Sequence, residues 1–453
     1  MAALIIVGIT CLAMIASILF FPQIKIKKLT IDSYWVVVLI GAIVVIASGQ
    51  IDLTTLGEKF TENSAVNPIK ILVLFISMTV LSIFLDELGF FRYLATLTLK
   101  FAGASQLKLF TVLYVTVSVL TVFTSNDIII LTFTPFICYF SKNAKINPVP
   151  YLVGEFIAAN TMSMMFIIGN PTNIYIGTAY SVNFIEYFKV MALPTLASAA
   201  VAYVMLIVLF RKKLAEKAQT ECEQVVIEDK TLLIIGLAHL IVCTVLLAIC
   251  SYIGLEMWII SLAFALSLFI FALVVCLIKR KKPTMVGATV KRLPWQLIPF
   301  VLSMFVMILA LTEKGITGDI GRLFGSSNAI LKYGVSSFLA ANVINNIPMS
   351  VLFCPIMSGL SGAPLMQATY ATIVGSNLGA YLTPIGALAG IMWTSLLKTH
   401  DVKIGYIDFI KYGAAISLPA LAAALGGAGF NHIIFRAYSW AHCCVTASGK
   451  RPR

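Results

Sequence analysis

Along most of this chain, apolar residues run in long unbroken blocks separated by short polar stretches. A helix crosses the hydrocarbon core of a bilayer with about 20 such residues. On that ruler the pattern predicts crossings at residues 3–21, 33–49, 69–85, 151–180 and 192–210, then at 231–252, 257–278, 295–312, 366–397 and 413–429. Two further apolar segments, 107–141 and 328–358, are split at their centres by a polar tip. Each leaves arms of roughly 15 residues, short of a comfortable crossing, and so predicts a re-entrant hairpin; an ordinary pair of crossings is the competing reading. Both halves therefore read as three spans, a hairpin and two spans.

Five crossings per half is an odd number, which inverts the second half relative to the first. The Lys and Arg positions test this layout. With the N-terminus outside, the predicted cytoplasmic segments (25–28, 92–108, 142–145, 211–230, 279–292 and 398–411) hold 22 Lys plus Arg, and the outer loops hold six. Positive charge collects on the cytoplasmic side of short loops, so the bias favours this orientation, with both termini outside. The predicted fold is an all-α polytopic membrane protein of two inverted repeats, each of five transmembrane spans plus one re-entrant hairpin, with broken helices of the fifth and tenth type. The first repeat covers 1–210 and the second 231–429, joined by a cytoplasmic linker at 211–230, "RKKLAEKAQTECEQVVIEDK". The tail at 430–453 departs from the rest in composition; it reads either as a native extracytoplasmic tail or as appended sequence, poorly ordered beyond about residue 440.

Composition agrees. Hydrophobic residues make up 60% of the 453 and charged residues 11%, with a mean hydropathy of +0.98, more than a soluble core can hide. The net charge of +13 lies in clusters between apolar blocks, so it marks sidedness and not nucleic-acid binding. Nine Cys without regular spacing and four His give no metal or disulfide framework. The N-terminus lacks a basic leader and a small-residue cleavage site, and reads as a first span.

Polar residues inside the apolar blocks carry the chemistry. "SNDIIILTFTP" in the first half has a counterpart in "INNIPMSVLFCP" in the second, with Asn126 nine residues before Pro135 and Asn345 ten before Pro355. After each hairpin comes a span with an Asn and then a break: Asn160 to Gly169, and Asn377 to Gly386, both nine residues apart. Pro171 and Pro384 remove backbone donors and the glycines relax the helix, so both spans should unwind near mid-membrane. Freed N–H groups at helix N-termini suit an anion or a neutral hydroxylated solute, and freed carbonyls suit a cation. Inverted repeats with broken helices are an architecture of secondary transporters, whose site lies where the repeats meet. The candidate substrate and ion site is Ser125, Asn126, Asp127, Asn160, Gly169, Asn170, Thr172, Asn173, Asn345, Asn346, Asn377, Thr383, Pro384 and Gly386. Asp127, Asn160, Asn346 and Asn377 are expected to converge on one midplane cavity.

The hairpin tip "SND", "GEFIAANTMSMMFIIGNPTN", "INNIP", and "GSNLGAYLTPIGALAGIMWTSLL" followed by "VKIGYIDFIKYG" resemble the ion transporter superfamily, and most of all its bacterial arsenite permeases. The likeness runs through nearly the whole chain. Sodium/dicarboxylate symporters of that superfamily usually carry Ser-Asn-Thr at both tips. The Asn126-Asp127 pair here is similar instead to arsenite permeases and to related sodium/proton antiporters. The resemblance implies a transport body, made of the hairpins with spans five, six, nine and ten, sliding against a scaffold. It also implies a proton or sodium coupling ion with no other cofactor, a homodimer, and, for an arsenite permease, an ATPase subunit as partner. The expected function is alternating-access export of arsenite or antimonite from the cell (inner) membrane. Carboxylate or inorganic-anion transport and sodium/proton antiport are the alternatives.

Each residue also has a plainer reading. Asp127 is a good helix N-cap. The tip asparagines can satisfy the turn, and Asn160 and Asn377 can tie helices together. Glu155, below Asn160, is either part of a proton path or a side chain reaching for interfacial water. His239, alone in an apolar span, reads as structural. Cys138 and Cys354 read as packing, and Asp86 and Glu87 as anchors for an amphipathic helix. "GLSG", Gly359 to Gly362, fits a serine intramembrane-protease motif but sits in a turn-like stretch, and the repeats encode neither the fourfold filter nor the ring of charges of a channel, while the two hairpins favour alternating access.

Overall fold

In a computed structural model the chain is described at residues 1–453 except 22, 27–28, 65–66, 103–104, 217–226, 228, 251 and 427–453. The tail at 430–453 and most of the linker at 211–230 lie outside the described residues. The first half runs α1 (Ala2–Phe20), a two-stranded antiparallel ribbon β1 (Gln23–Ile26) and β2 (Leu29–Asp32), α2 (Ser33–Ala47), α3 (Leu53–Thr61), α4 (Pro68–Glu87) and α5 (Phe90–Ala102). The first hairpin is α6 (Gln106–Phe123) with α7 (Asn126–Asn143). The broken span follows as α8 (Val149–Met162), a 3₁₀ turn at Ile167–Gly169 and α9 (Pro171–Ala179), and α10 (Phe184–Leu214) closes the half. The second half contains α11 (Lys230–Ile249), α12 (Met257–Ile278), α13 (Thr284–Arg292), α14 (Leu297–Glu313) and α15 (Ile316–Phe324). Its hairpin is α16 (Ala329–Ile344) with α17 (Asn346–Met357), and its broken span is α18 (Gly362–Gly379) with α19 (Leu388–Thr399), before α20 (Tyr406–Gly426).

The fold is nearly all helix, and among the described residues eight helical segments are long and apolar enough to cross a bilayer. The exception is the ribbon, with Gln23 opposite Asp32 and Ile26 opposite Leu29. Its stretch "QIKIKKLTID" largely alternates apolar and polar, the period of a strand, inside what the block pattern treats as a loop. The first hairpin also differs in length from the sequence reading: both arms have 18 residues, while the second hairpin's arms have 16 and 12.

Outward apolar surface and inward packing divide the helices. Ile234 and Ile241 on α11, and Leu277 and Ile278 on α12, are exposed, as residues facing lipid must be. α4 is buried nearly all round, with Leu81, Phe84 and Leu85 fully covered. Among the described residues, four ion pairs tie the helix ends. Lys70 at the start of α4 meets Glu256 at the start of α12 at 2.5 Å. Asp229 before α11 meets Lys279 after α12 at 2.7 Å. At the far end of α4, Arg292 reaches Asp86 and Glu87, both at 2.6 Å. α4 and α14 therefore run in opposite directions. Asp86 and Glu87 hold the end of α13 as well as preceding α5.

α16 and α18 pack backbone against backbone. Gly375 and Gly379, in "GSNLG", leave no room for a Cβ: it would strike Ser337 and the Gly334 carbonyl at one position and the Phe338 carbonyl at the other. Small residues four apart permit this approach in membranes. It brings the second break against the second hairpin.

Candidate functional site

Each hairpin tip ends at a helix break. In the first, Ser125 N-caps α7, accepting from the Ile128 N–H at 3.5 Å. Asn126 Nδ2 then donates to Asn160 Oδ1 on α8 at 3.0 Å, and Asn160 Nδ2 donates to its own helix at Phe156 O, 2.8 Å away. Asn126 Oδ1 is buried with no hydrogen-bond partner.

The second tip is tied more tightly. Asn345 has φ 72° and ψ 151°, caps α17 by accepting from the Ile347 N–H at 3.3 Å, and donates through Nδ2 to Ile385 O at 3.0 Å. The Asn346 N–H donates to Gly386 O at 3.0 Å, while Asn346 Oδ1 stays buried and unpaired. Asn342, one turn before the tip, reinforces the junction. Its Nδ2 donates to Gly379 O at 3.0 Å, and its Oδ1 accepts from the Thr383 N–H and Oγ1 at 3.0 and 2.8 Å.

The two breaks meet each other directly. Asn170 N-caps α9, accepting from the Thr172 N–H at 3.1 Å and Oγ1 at 3.2 Å, and its Nδ2 donates to Asn377 Oδ1 at 3.2 Å. Asn377 Nδ2 donates to Asn173 Oδ1 at 2.7 Å and to Ile373 O at 2.8 Å, and its Oδ1 also accepts from Ser163 Oγ at 2.9 Å. An amide offers two donors and two lone pairs, so Asn377 is fully used as a cross-link between halves. Asn173 Nδ2 completes the knot on Ser163 O at 2.9 Å. Gly169 and Gly386 do not sit at positive φ; they make room. A Cβ on Gly169 would strike Ser163 O, and one on Gly386 would lie 2.7 Å from Gly379 O. Pro171 opens α9 at its first position, where its missing N–H costs no hydrogen bond. Pro384 lies in the gap between α18 and α19.

Asp127 stands apart from this network. No described side chain hydrogen-bonds its carboxylate, and it lines, with Ser125, a cavity of about 50 Å³ between α7, α19, α2 and α4. The cavity also touches Asp32, Tyr34, Thr79 and Arg292, but not Asn160, Asn346 or Asn377. Asn160 and Asn377 thus share one hydrogen-bonded knot through Ser163, Asn346 is tied separately to the second break at Gly386, and Asp127 lies on another opening, so the four are not gathered in that cavity. A second cavity of about 290 Å³ lies at the other end of α4, lined by Lys70, Ile71, Leu74, Ile174, Asn183 and Glu256. The two openings meet α4 at successive turns, 70/71/74 and then 75/79/83.

Glu155 does not reach water: it is 1% exposed, and Thr134 Oγ1 lies 3.2 and 3.1 Å from its two oxygens. His239 Nδ1 is 2.8 Å from Ile235 O on its own helix, with its ring edge-on to Phe264 and Phe271. Ser361 of "GLSG" is the exposed N-cap of α18. Cys138 and Cys354 are buried free thiols. Sequence reasoning missed Asn342, Ser163 and Arg292. Asn342 alone carried a signal, as a third Asn in "NVINN".

Residues 9–371 match the model of the family described as "Citrate transporter". The chain is 25% identical over 368 residues to the arsenical pump membrane protein of Escherichia coli (strain K12), covering 78% of this chain and 84% of the relative. It is 24% identical over 373 residues to a 46 kDa membrane protein of Mycobacterium leprae (strain TN), covering 78% and 84%. In fold it is similar to the YdaH transporter of Alcanivorax borkumensis, with a TM-score of 0.55 at 12% identity over 96% of this chain and 98% of that one. With broken helices, polar tips and a match over most of its length, this chain is a membrane transporter that belongs to the citrate transporter family.

Proposed function

We propose that this transporter couples proton entry to export of a neutral hydroxylated solute, arsenite or antimonite, by alternating access. The charge of the Asp127 cavity supports this reading most directly. Its charged lining is Asp32, Asp127 and Arg292, and Arg292 is already held by Asp86 and Glu87. An opening with surplus negative charge repels an anion and concentrates neutral or cationic species. Arsenite at neutral pH is an uncharged trihydroxide, which amide and hydroxyl groups can solvate without a cationic clamp. The two cavities on successive turns of α4 provide an inner and an outer opening for access from either side. The name of the E. coli relative points the same way, while the family description keeps carboxylates as the second reading, served by the helix N-termini of α9 and α17.

In this reading Asp127 carries the coupling ion, a proton rather than sodium, and the tips and breaks contact the solute. The chain works in the cell membrane with both termini outside, as a homodimer, and takes an ATPase subunit as partner for arsenite. The test is flux in inside-out vesicles under imposed proton or sodium gradients, with arsenite, antimonite, citrate and a dicarboxylate as solutes. Proton-driven accumulation of arsenite supports the assignment. Citrate or dicarboxylate transport without arsenite transport overturns it.

A further inference from the structure

The first half holds two buried or half-buried acids where the second half is neutral. Asp127 follows Asn126 at the first tip as Asn346 follows Asn345 at the second. Glu155 lies five residues before Asn160, and Thr372 lies five before Asn377. Thr372 Oγ1 packs on the Met357 sulfur at 3.5 Å, a weak contact that needs no charge. Glu155 is a different kind of group at the matching place, and the coupling role assigned to Asp127 does not use it.

Its surroundings are specific. A single hydroxyl, Thr134 Oγ1 on α7, lies within 3.2 Å of both carboxyl oxygens. A hydroxyl has one proton, so both contacts become full hydrogen bonds only when the carboxyl carries a proton of its own. Trp393, on α19 of the second half, packs at a tilt against Phe156, with ring centroids 4.9 Å apart. Its indole Nε1 lies near the Glu155 carboxyl yet short of a hydrogen bond, and is buried without a partner. An orphaned buried N–H is costly, and an ionised carboxylate would be its natural acceptor. No charged side chain from α6, α7, α10, α18 or α19 is set against Glu155 among the described residues, and the titratable group facing it is the Cys138 thiol on α7. Leaving an ionised carboxylate there with one hydroxyl would bury nearly an isolated charge.

We propose that Glu155 is a second proton-carrying group of this transporter, neutral in the conformation described here, and that loss of its proton is answered by the Trp393 indole closing onto it across the seam between the halves. The exchange balances simply: once transport opens the group to the aqueous side, the carboxyl gives up one proton to water there, and the indole N–H donates to the oxygen that held it. Because α19 also lines the Asp127 cavity through Leu388, Ile391 and Met392, this closure would move one wall of that cavity. Proton release at Glu155 would then change access to Asp127.

The role in flux rests on the coupled-transport reading, but the protonation itself can be read without any solute. Infrared spectra of the purified protein in lipid report the carbonyl stretch of buried, protonated carboxyl groups. The Asp127→Asn protein should keep such a band, and adding Glu155→Gln should remove it. Thr134→Val, which leaves the acid in place and removes its hydroxyl partner, should shift its frequency, which guards against a double variant that fails to fold; an unmoved band overturns the proposal. No buried-acid band in the Asp127→Asn protein, or a band that survives Glu155→Gln, overturns the proposal whatever the solute proves to be. In vesicles, Glu155→Gln should lower the protons moved per solute while solute binding persists; an unchanged ratio overturns the coupling role alone.

Discussion

The two hairpin tips look alike in sequence and differ in how they are held. The second is stitched to its break by Asn345 to Ile385, Asn346 to Gly386, and Asn342 to Gly379 and Thr383. The first makes one described side-chain bond to its broken span, Asn126 to Asn160, and leaves Asp127 facing a cavity with no described partner. One polar tip is thus largely consumed in fixing geometry. The other keeps hydrogen-bonding capacity and a charge in reserve. The difference between the tips comes down to one position, Asp127 in the first against Asn346 in the second.

Making the first tip like the second should have the largest effect. Asp127→Asn keeps the size and the cap position, so the protein should fold, melt no lower than the parent and still bind solute. Gradient-driven flux should fall to near background. Vesicle transport under an imposed pH gradient measures this, and undiminished coupled flux would reduce Asp127 to a helix cap and erase the functional half of the comparison.

The converse change sharpens it. Asn346 is 2% exposed and its N–H is spent on Gly386, so Asn346→Asp puts a carboxylate in a buried place. Insertion scales put a mid-membrane charge at about 2.5 to 3.5 kcal/mol. Thermal unfolding in detergent should show a loss of that order, whereas Asp127→Asn shows none. Equal melting shifts for the two variants would mean that both tips see the same environment.

Much of this division was legible in the chain, and the illegible part has a physical cause. Block lengths located the spans, since the bilayer imposes a minimum on apolar runs. The matched nine-residue offsets from Asn160 to Gly169 and from Asn377 to Gly386 located the breaks. Which hydrogen bonds each Asn makes is a tertiary fact: Asn377 finds Asn170 and Asn173 more than 200 positions away, and no local periodicity encodes that. Arg292 was read only as one of the charges that set orientation. Its place on the Asp127 cavity depends on α13 folding back to the end of α4, which Asp86 and Glu87 secure. The β1–β2 ribbon is invisible to a ruler of long apolar runs, although its alternation is plain at a period of two.

The smallest expected effect separates two things that hold the second tip. At φ 72° and ψ 151°, Asn345 occupies a backbone region that glycine adopts freely and that costs other residues about 1 to 3 kcal/mol. In return its side chain caps α17 and bonds Ile385 O. Side-chain hydrogen bonds inside membrane proteins contribute about 0.6 kcal/mol on average and up to about 1.7, and replacing an Asn cap by Gly costs only a few tenths. For Asn345→Gly the relieved backbone strain and the lost bonds are therefore comparable. The melting temperature should hardly move. Asn345→Ala loses the same bonds and keeps the strain, so it should be less stable than the Gly variant by about 1 to 3 kcal/mol. Melting curves of the two variants side by side decide the point. If Ala and Gly are equally destabilised, the tip is held by its side-chain bonds alone; if Gly is the worse of the two, the backbone at Asn345 is not strained, and the account of the second tip as a rigid anchor fails at its centre.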